Sequence, residues 1–462
     1  MLRASLAGLV AIAALPSDAA AHVGSPDVFV DGQAGPYRIF VTIRPPHAIP
    51  GVADVEVLAT SDDVHEIHLA PLPLTGPGAQ FAPVPDLASR SSDDARLFTG
   101  HLWMMTAGAW QVRIAVSGDR GPGNLAVPVP TLPQSTLAMS RALGLLLAGL
   151  MFLLLAGFVA IVATMAREAG LPAGEAPGRA ARGRGRIAGA IASGGLVAAV
   201  FFGNSWWSAE AARYSRYVYK PLEAVPSVTH GRLRLALRDP GWLRSRRLDD
   251  FVPDHGYLMH LFVVSPALDR LWHLHPSQVP PGAFEQMLPD LPAGRYEVFG
   301  DIVHKTGVSE TVTASFETAG IRGGSLTGDD SAFPSPSGGQ IVWVRDGQPL
   351  VTRRLTLFTF RVEDSAGQPA RDLELYMGMP GHAVFIRRDR QVFAHVHPSG
   401  SAPMAAMEIA APSGAVHNHP DAALPATVSF PYGFPEPGRY RIFVQFKRGG
   451  RIETGTFDAD VE

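Results

Sequence analysis

Hydrophobic and polar positions follow two rhythms along this chain. Over residues 22–133, apolar residues alternate with polar ones or gather in short β-branched runs, as in Tyr37–Ile43 and Ala53–Val57, with Pro and Gly between them. A period of two is that of a half-buried strand, and many such runs between turn residues predict a β-sandwich. Two long apolar runs follow: Ala142–Ala166, 25 residues without a charge, and Ile187–Ala209, 23 residues. Each exceeds the roughly 20 residues that a helix needs to cross a bilayer. Gly189, Ser193, Gly194 and Gly195 supply a small-residue face on which the two helices are expected to pack. The strand rhythm resumes at 221–319 and again at 338–462, with a linker rich in Gly, Ser, Asp and Pro at 320–337. A turn glycine followed by an aromatic that opens an alternating strand occurs in all three strand regions: Gly108-Ala109-Trp110, Gly294-Arg295-Tyr296 and Gly438-Arg439-Tyr440. The expected fold is therefore mainly β, three related β-sandwich modules with a two-helix transmembrane hairpin between the first and the second.

The first 21 residues carry Arg3, an apolar stretch from Ala4 to Leu15 and the Ala19-x-Ala21 pattern, and they read as a secretory signal peptide. Between the apolar runs, residues 167–186 hold Arg167, Arg179, Arg182, Arg184 and Arg186 against Glu168 and Glu175. The positive-inside rule places this loop in the cytoplasm. The three β modules then lie on the periplasmic face of the inner membrane, and the lipid bilayer is the first partner. Trp206, Trp207, Tyr214, Tyr217 and Tyr219 form an aromatic belt after the second run. A net charge of −3 offers no field for a nucleic acid. The absence of cysteine removes disulfides, thiolate metal sites and thiol catalysis, so any metal chemistry falls to His, Met and carboxylates.

One spacing occurs twice: H-x12-H-x-H-P, at His260, His273, His275 and again at His382, His395, His397. Each copy is an apolar run, a polar break and a second apolar run, the pattern of a β-hairpin. Side chains alternate faces along a strand, so both His of each H-x-H share a face, and folding at the break brings the leading His beside them. One three-imidazole site per module is expected. Five residues before each leading His stand His255 and Met377, and an odd offset lets these join only through a bulge or a preceding loop. Met379 lies three before His382. Imidazole with thioether favours copper, whereas three imidazoles alone suit zinc equally well.

Other candidates are looser. Cleavage after Ala21 would make His22 an N-terminal residue able to chelate copper through its amine and ring, with His101, Met104 and Met105 as completing ligands. Core packing is the expected role of Trp103 and Met105. The third strand region has 41 positions between His397 and its turn glycine, against 19 between His275 and Gly294. The added loop brings Met404, Met407, His417 and His419, a lid or a softer second site.

The Gly-aromatic strand signature, the HLHP and HVHP hairpins and the membrane anchoring resemble the FixH/YtkA-like group of bacterial extracytoplasmic β-sandwich modules, and more distantly the CopC-type copper carriers. The resemblance covers most of the last two modules and the first more loosely. It implies immunoglobulin-like folds, copper handling or metalloenzyme assembly, and a membrane or periplasmic protein partner. One module before a two-helix hairpin and two after it depart from that group's single-anchor plan. No hydrolase elbow, phosphate loop or dinucleotide fingerprint occurs, so a binding protein is expected. The alternatives are a metal-free scaffold and a copper oxidase or oxygenase built on His22.

Overall fold

The computed structural model describes residues 26–137, 139–242, 246–280, 282–324, 326–333, 338–411 and 424–462. The expected signal peptide, His22, His417 and His419 lie outside these residues. Ser135–Val218 form one compact unit, and the chain on either side of it forms another.

The larger unit is mainly β and built from sheets that are antiparallel apart from the short Ala332–Phe333 strand, which runs parallel to Arg451–Val461, two from each of three successive stretches of chain. In the N-terminal set, a sheet containing Val28–Ala34, Tyr37–Arg44, Gly51–Ala59 and Leu97–Met104 faces one containing Val64–Pro73, Gly108–Gly118 and Gly121–Thr131. Val41, Val55, Ile67 and Val112 fill the space between them. The middle set pairs a sheet around Arg232–Arg238 with one ordered Leu271–Leu274, His260–Val264, Gly294–Val303, Ser309–Thr318. The C-terminal set pairs a sheet around Thr356–Asp364 with one that runs Arg451–Val461, Gly438–Arg448, His382–Arg387, Phe393–Val396.

The recurring Gly-aromatic strands have a physical basis. Gly108, Gly294 and Gly438 have φ of 140°, 155° and 137°, where a side chain is strained. Two residues on, Trp110, Tyr296 and Tyr440 are buried, and each donates a hydrogen bond to the carbonyl four residues upstream: Thr106 (2.9 Å), Pro292 (3.0 Å) and Glu436 (2.7 Å). A buried hydroxyl or indole N–H needs an acceptor, and the turn supplies it.

Alternation corrects one expectation in the N-terminal set. Met104 is the residue in the core, while Trp103 and Met105 are 61% and 57% exposed. The inward positions of Leu97–Met104 are Phe98, Leu102 and Met104, so Trp103 must point outward.

In the smaller unit, α1 (Arg141–Glu168) and α2 (Arg179–Ser215) are both long and apolar enough to cross a membrane. The Ser140 hydroxyl caps α1 by accepting from the Leu143 N–H. Helix α2 starts before its apolar run, so Arg179–Arg186 is helix and not loop; Arg and Ala are strong helix formers. The helices meet through Ala181, Gly185 and Gly189, four residues apart and hence on one face. A Cβ at Gly185 would lie 2.8 Å from the Ala163 carbonyl, and one at Gly189 3.3 Å from Ala163 Cβ. Of the small residues expected at this contact, Gly194 and Gly195 face open space.

Candidate metal centre

Both H-x12-H-x-H-P segments fold as hairpins. His260–Val264 pairs with Leu271–Leu274, Leu261 opposite Leu274 and Val264 opposite Leu271, and His382–Arg387 pairs likewise with Phe393–Val396. The first turn is closed by Ser265, whose hydroxyl donates to the Asp269 carboxylate and accepts from the N–H groups of Asp269 and Arg270. Directly opposite His273 stands Phe262, so His260 meets His273 diagonally on the same face.

These strands are buried on both faces. Leu261, Val263 and Leu274 point into the core of the middle set, and Ala383, Phe385 and Val396 into that of the C-terminal set. The opposite faces meet each other. Phe262, Val264, Leu271 and Phe299 join Val384, Ile386, Phe393 and Phe443 in one apolar layer between the two sets. The histidines of both hairpins continue this layer at one end, so the two triads expected in separate modules stand together. Ring centroids of His273 lie 5.4 Å from His395 and 5.7 Å from His382, and those of His260 and His395 are 5.6 Å apart.

Each triad offers one ring nitrogen per residue within 4.8 Å of the others. Five of the six histidines turn one ring nitrogen to an oxygen atom. His260 Nε2 donates to the Asp254 carbonyl (2.9 Å), and His382 Nε2 to that of Tyr376 (3.1 Å). His275 Nδ1 donates to Asp330 (2.6 Å), whose second oxygen takes a bond from Gln286. His395 Nδ1 faces Asp301 (3.4 Å). His273 Nδ1 lies 3.3 Å from the Tyr376 hydroxyl, which donates to the Asp329 carbonyl and so accepts from the imidazole.

A carbonyl can only accept, so Nε2 of His260 and of His382 carries the proton and Nδ1 of each is left as an acceptor. His260 Nδ1 lies 3.0 Å from His273 Nε2, and His382 Nδ1 3.1 Å from His395 Nε2, so each pair can share an N–H or a cation. Burial, with the neighbouring imidazoles second, holds His260, His273, His382 and His397 well below the ordinary imidazole range, which disfavours an added proton. A metal ion fits the donor set. Nitrogens on a tetrahedral ion with bonds of about 2.0–2.1 Å stand roughly 3.3 Å apart. His275 Nε2 and both ring nitrogens of His397 are buried without a partner, as is His255 Nε2. An outward nitrogen on an oxygen acceptor is the usual support of a metal-bound imidazole.

His255 and Met377 occupy equivalent turns. Asp254 and Tyr257 exchange two backbone hydrogen bonds around His255-Gly256, as do Tyr376 and Met379 around Met377-Gly378. All four central residues have positive φ, 51° at both His255 and Met377. His255 thus reaches the cluster from the preceding loop, its ring 4.8 Å from His397 and 5.8 Å from His382. Met377 is buried in a cluster with Tyr376, Ile452 and Tyr257, whose ring stacks on His275 at 3.9 Å. Met379 is buried and closes its turn through the backbone.

Residues 337–462 match a domain family of unknown function, DUF8832. No curated protein matches the chain. Among solved structures it is similar to the Lin-41 filamin domain, at 15% identity over 27% of this chain and 91% of that one, TM-score 0.16. It is also similar to a three-domain stretch of titin, at 9% identity over 90% and 94%, TM-score 0.13. For Escherichia coli alpha-2-macroglobulin the figures are 11% identity over 93% and 23%, TM-score 0.21. Scores of this size carry no argument about the site.

The remaining candidates do not join the cluster. His101 is exposed and paired with Asp54 (2.9 Å), and Met104 is in the N-terminal core. Met404 and Met407 lie on α3 (Met404–Ala410); the Ser399 hydroxyl donates to the Met404 sulfur, and Met407 packs on the N-terminal core. Sequence reasoning missed Tyr376, Asp301 and Asp330 and the meeting of the two triads. One signal of the meeting was present: HLFVV and HAVFI are apolar at every position after His, the mark of strands covered on both faces.

Proposed function

We propose that this chain is a membrane-anchored metal-binding protein that handles copper outside the cytoplasm, for delivery or for assembly of a metalloenzyme. Its three strand sets are read as immunoglobulin-like sandwich modules, carried on the periplasmic side by the hairpin of α1 and α2. The observation that carries the metal reading is the pair of buried histidine triads, in each of which one ring nitrogen per residue lies within 4.8 Å of the others. Copper is favoured over zinc by the soft donor Met377 on the turn equivalent to that of His255. His260, His273 and His275 would hold one ion and His382, His395 and His397 the other.

The test is metal content of the detergent-purified full chain after loading with Cu(I), Cu(II) or Zn(II), beside a His395→Ala/His397→Ala double variant. Two copper ions per chain are expected, with one lost in the variant and the fold retained. No retained metal in either protein would leave a metal-free scaffold as the account of these modules.

A further inference from the structure

We infer, resting on the metal reading above, that the two triads form a single dinuclear centre shared between the middle and C-terminal sets, with His255 as a ligand that crosses from one to the other. The rings of the two triads interleave. His273 stands 5.4 Å from His395 across the boundary and His260 5.2 Å from His273 within its own triad, so the two ligand shells touch.

The supports cross as well. The outward nitrogen of His395 faces Asp301, which belongs to the middle set and is steadied by the Thr311 hydroxyl at 2.6 Å. That of His273 faces Tyr376, which belongs to the C-terminal set. The Asp330 that orients His275 comes from the chain joining the two. Neither triad has all of its supports in its own set.

His255 is the clearest crossing. Its turn precedes His260, but its ring is nearer to His397 (4.8 Å) than to His260 (6.0 Å), and its buried Nε2 lacks a partner. The turn is fixed from the far side too, because the Ala405 N–H donates to the buried Asp254 carboxylate at 2.8 Å. The C-terminal ion would thus have four imidazoles, one from the neighbouring set, and binding it ties the two sets together. On the equivalent turn of the C-terminal set stands Met377, packed with Tyr376, Ile452 and Tyr257, so the two ends of the centre are chemically unequal.

Electron paramagnetic resonance of the full chain, loaded with Cu(II) and kept oxidised, decides the matter. Two coppers per chain with a half-field transition from magnetic coupling are expected. Two coppers with independent signals, or a single copper per chain, overturn the shared centre and leave metal binding standing; no copper at all removes the metal reading itself. In His255→Ala, and in His255→Gln as a second variant, one copper should bind at least about ten-fold more weakly and the coupled signal should collapse. Unchanged affinity and coupling in a folded variant would remove His255 from the ligand set.

Discussion

A neutral imidazole has one donor and one acceptor, so naming the partner of one nitrogen names the state of the other. In this protein the Asp254 and Tyr376 carbonyls accept from Nε2 of His260 and His382, and that leaves a lone pair on the inward Nδ1 of each. The histidines were legible from their spacing, because a period of two and one polar break suffice to bring three of them to one face. Their supports were not legible. Asp330 is 55 residues from His275, and Asp301 and Tyr376 act across a boundary between strand sets. Replacing Asp330 with Asn keeps the shape but exchanges a charged acceptor for a neutral amide. On the proposed metal reading, copper affinity at the middle triad should fall by roughly 10–100-fold. Competition with a chelator of known affinity measures this, and an unaltered constant would show that Asp330 plays no part in orienting His275.

The hairpin strands do two jobs because each has two covered faces. One face belongs to a sandwich core and the other to the apolar layer that aligns the triads. Phe393 is central to that layer, its ring stacked on Phe299 at 4.3 Å and 5.2 Å from Phe262, which in turn stacks on His273 at 4.3 Å. Phe393→Ala should cost about 3–5 kcal/mol, since a buried aromatic is lost and a cavity remains. The denaturation midpoint of the metal-free chain reads this directly; a loss below about 1 kcal/mol would mean that the layer does not hold the sets together. The helices were legible by apolar length, yet the start of α2 was not, because Gly183 and Gly185 make Arg179–Arg186 look like a charged loop, and it is the close packing of Gly185 on α1 that a sequence pattern does not show. Their contact face slid one turn toward the loop, to Gly185 and Ala181, where removing side chains lets the backbones approach.

Where the chain re-enters the strand unit, a buried polar network joins several parts of the molecule. Tyr219 donates its N–H to the Pro133 carbonyl and its hydroxyl to Glu310. Glu310 also faces Arg246 (3.2 Å) and His304 (3.0 Å), and His304 bonds Asp250 (2.8 Å) on its other nitrogen. Burial alone would lower His304, but the bonds to Glu310 and Asp250 outweigh it and the net shift is upward. Burial would raise Glu310, but His304, Tyr219 and Arg246 bring it below the usual range. A raised His stabilises fully below its unfolded value of about 6.5 and loses that stabilisation as pH rises through its folded value. A depressed Glu stabilises above its unfolded value of about 4.3 and loses this as pH falls through its folded value. The melting temperature of the wild type should therefore exceed that of His304→Gln most between about pH 4.3 and 6.5, and less as pH rises above that window. A difference independent of pH would refute a charged His304.

The sequence by itself determined the strand-rich character, the two apolar helices, the three Gly-aromatic strands and the three-histidine face of each hairpin. All of these depend on local periodicity, on positive φ or on a short turn, which neighbours along the chain decide. Only the tertiary structure decided that the two hairpins meet, that His255 turns toward the other triad, and that Asp330 and Tyr376 stand beside the middle triad and Asp301 beside the C-terminal one. Those contacts join residues scores of positions apart, and an apolar face shows in the sequence that it will be covered without showing by what.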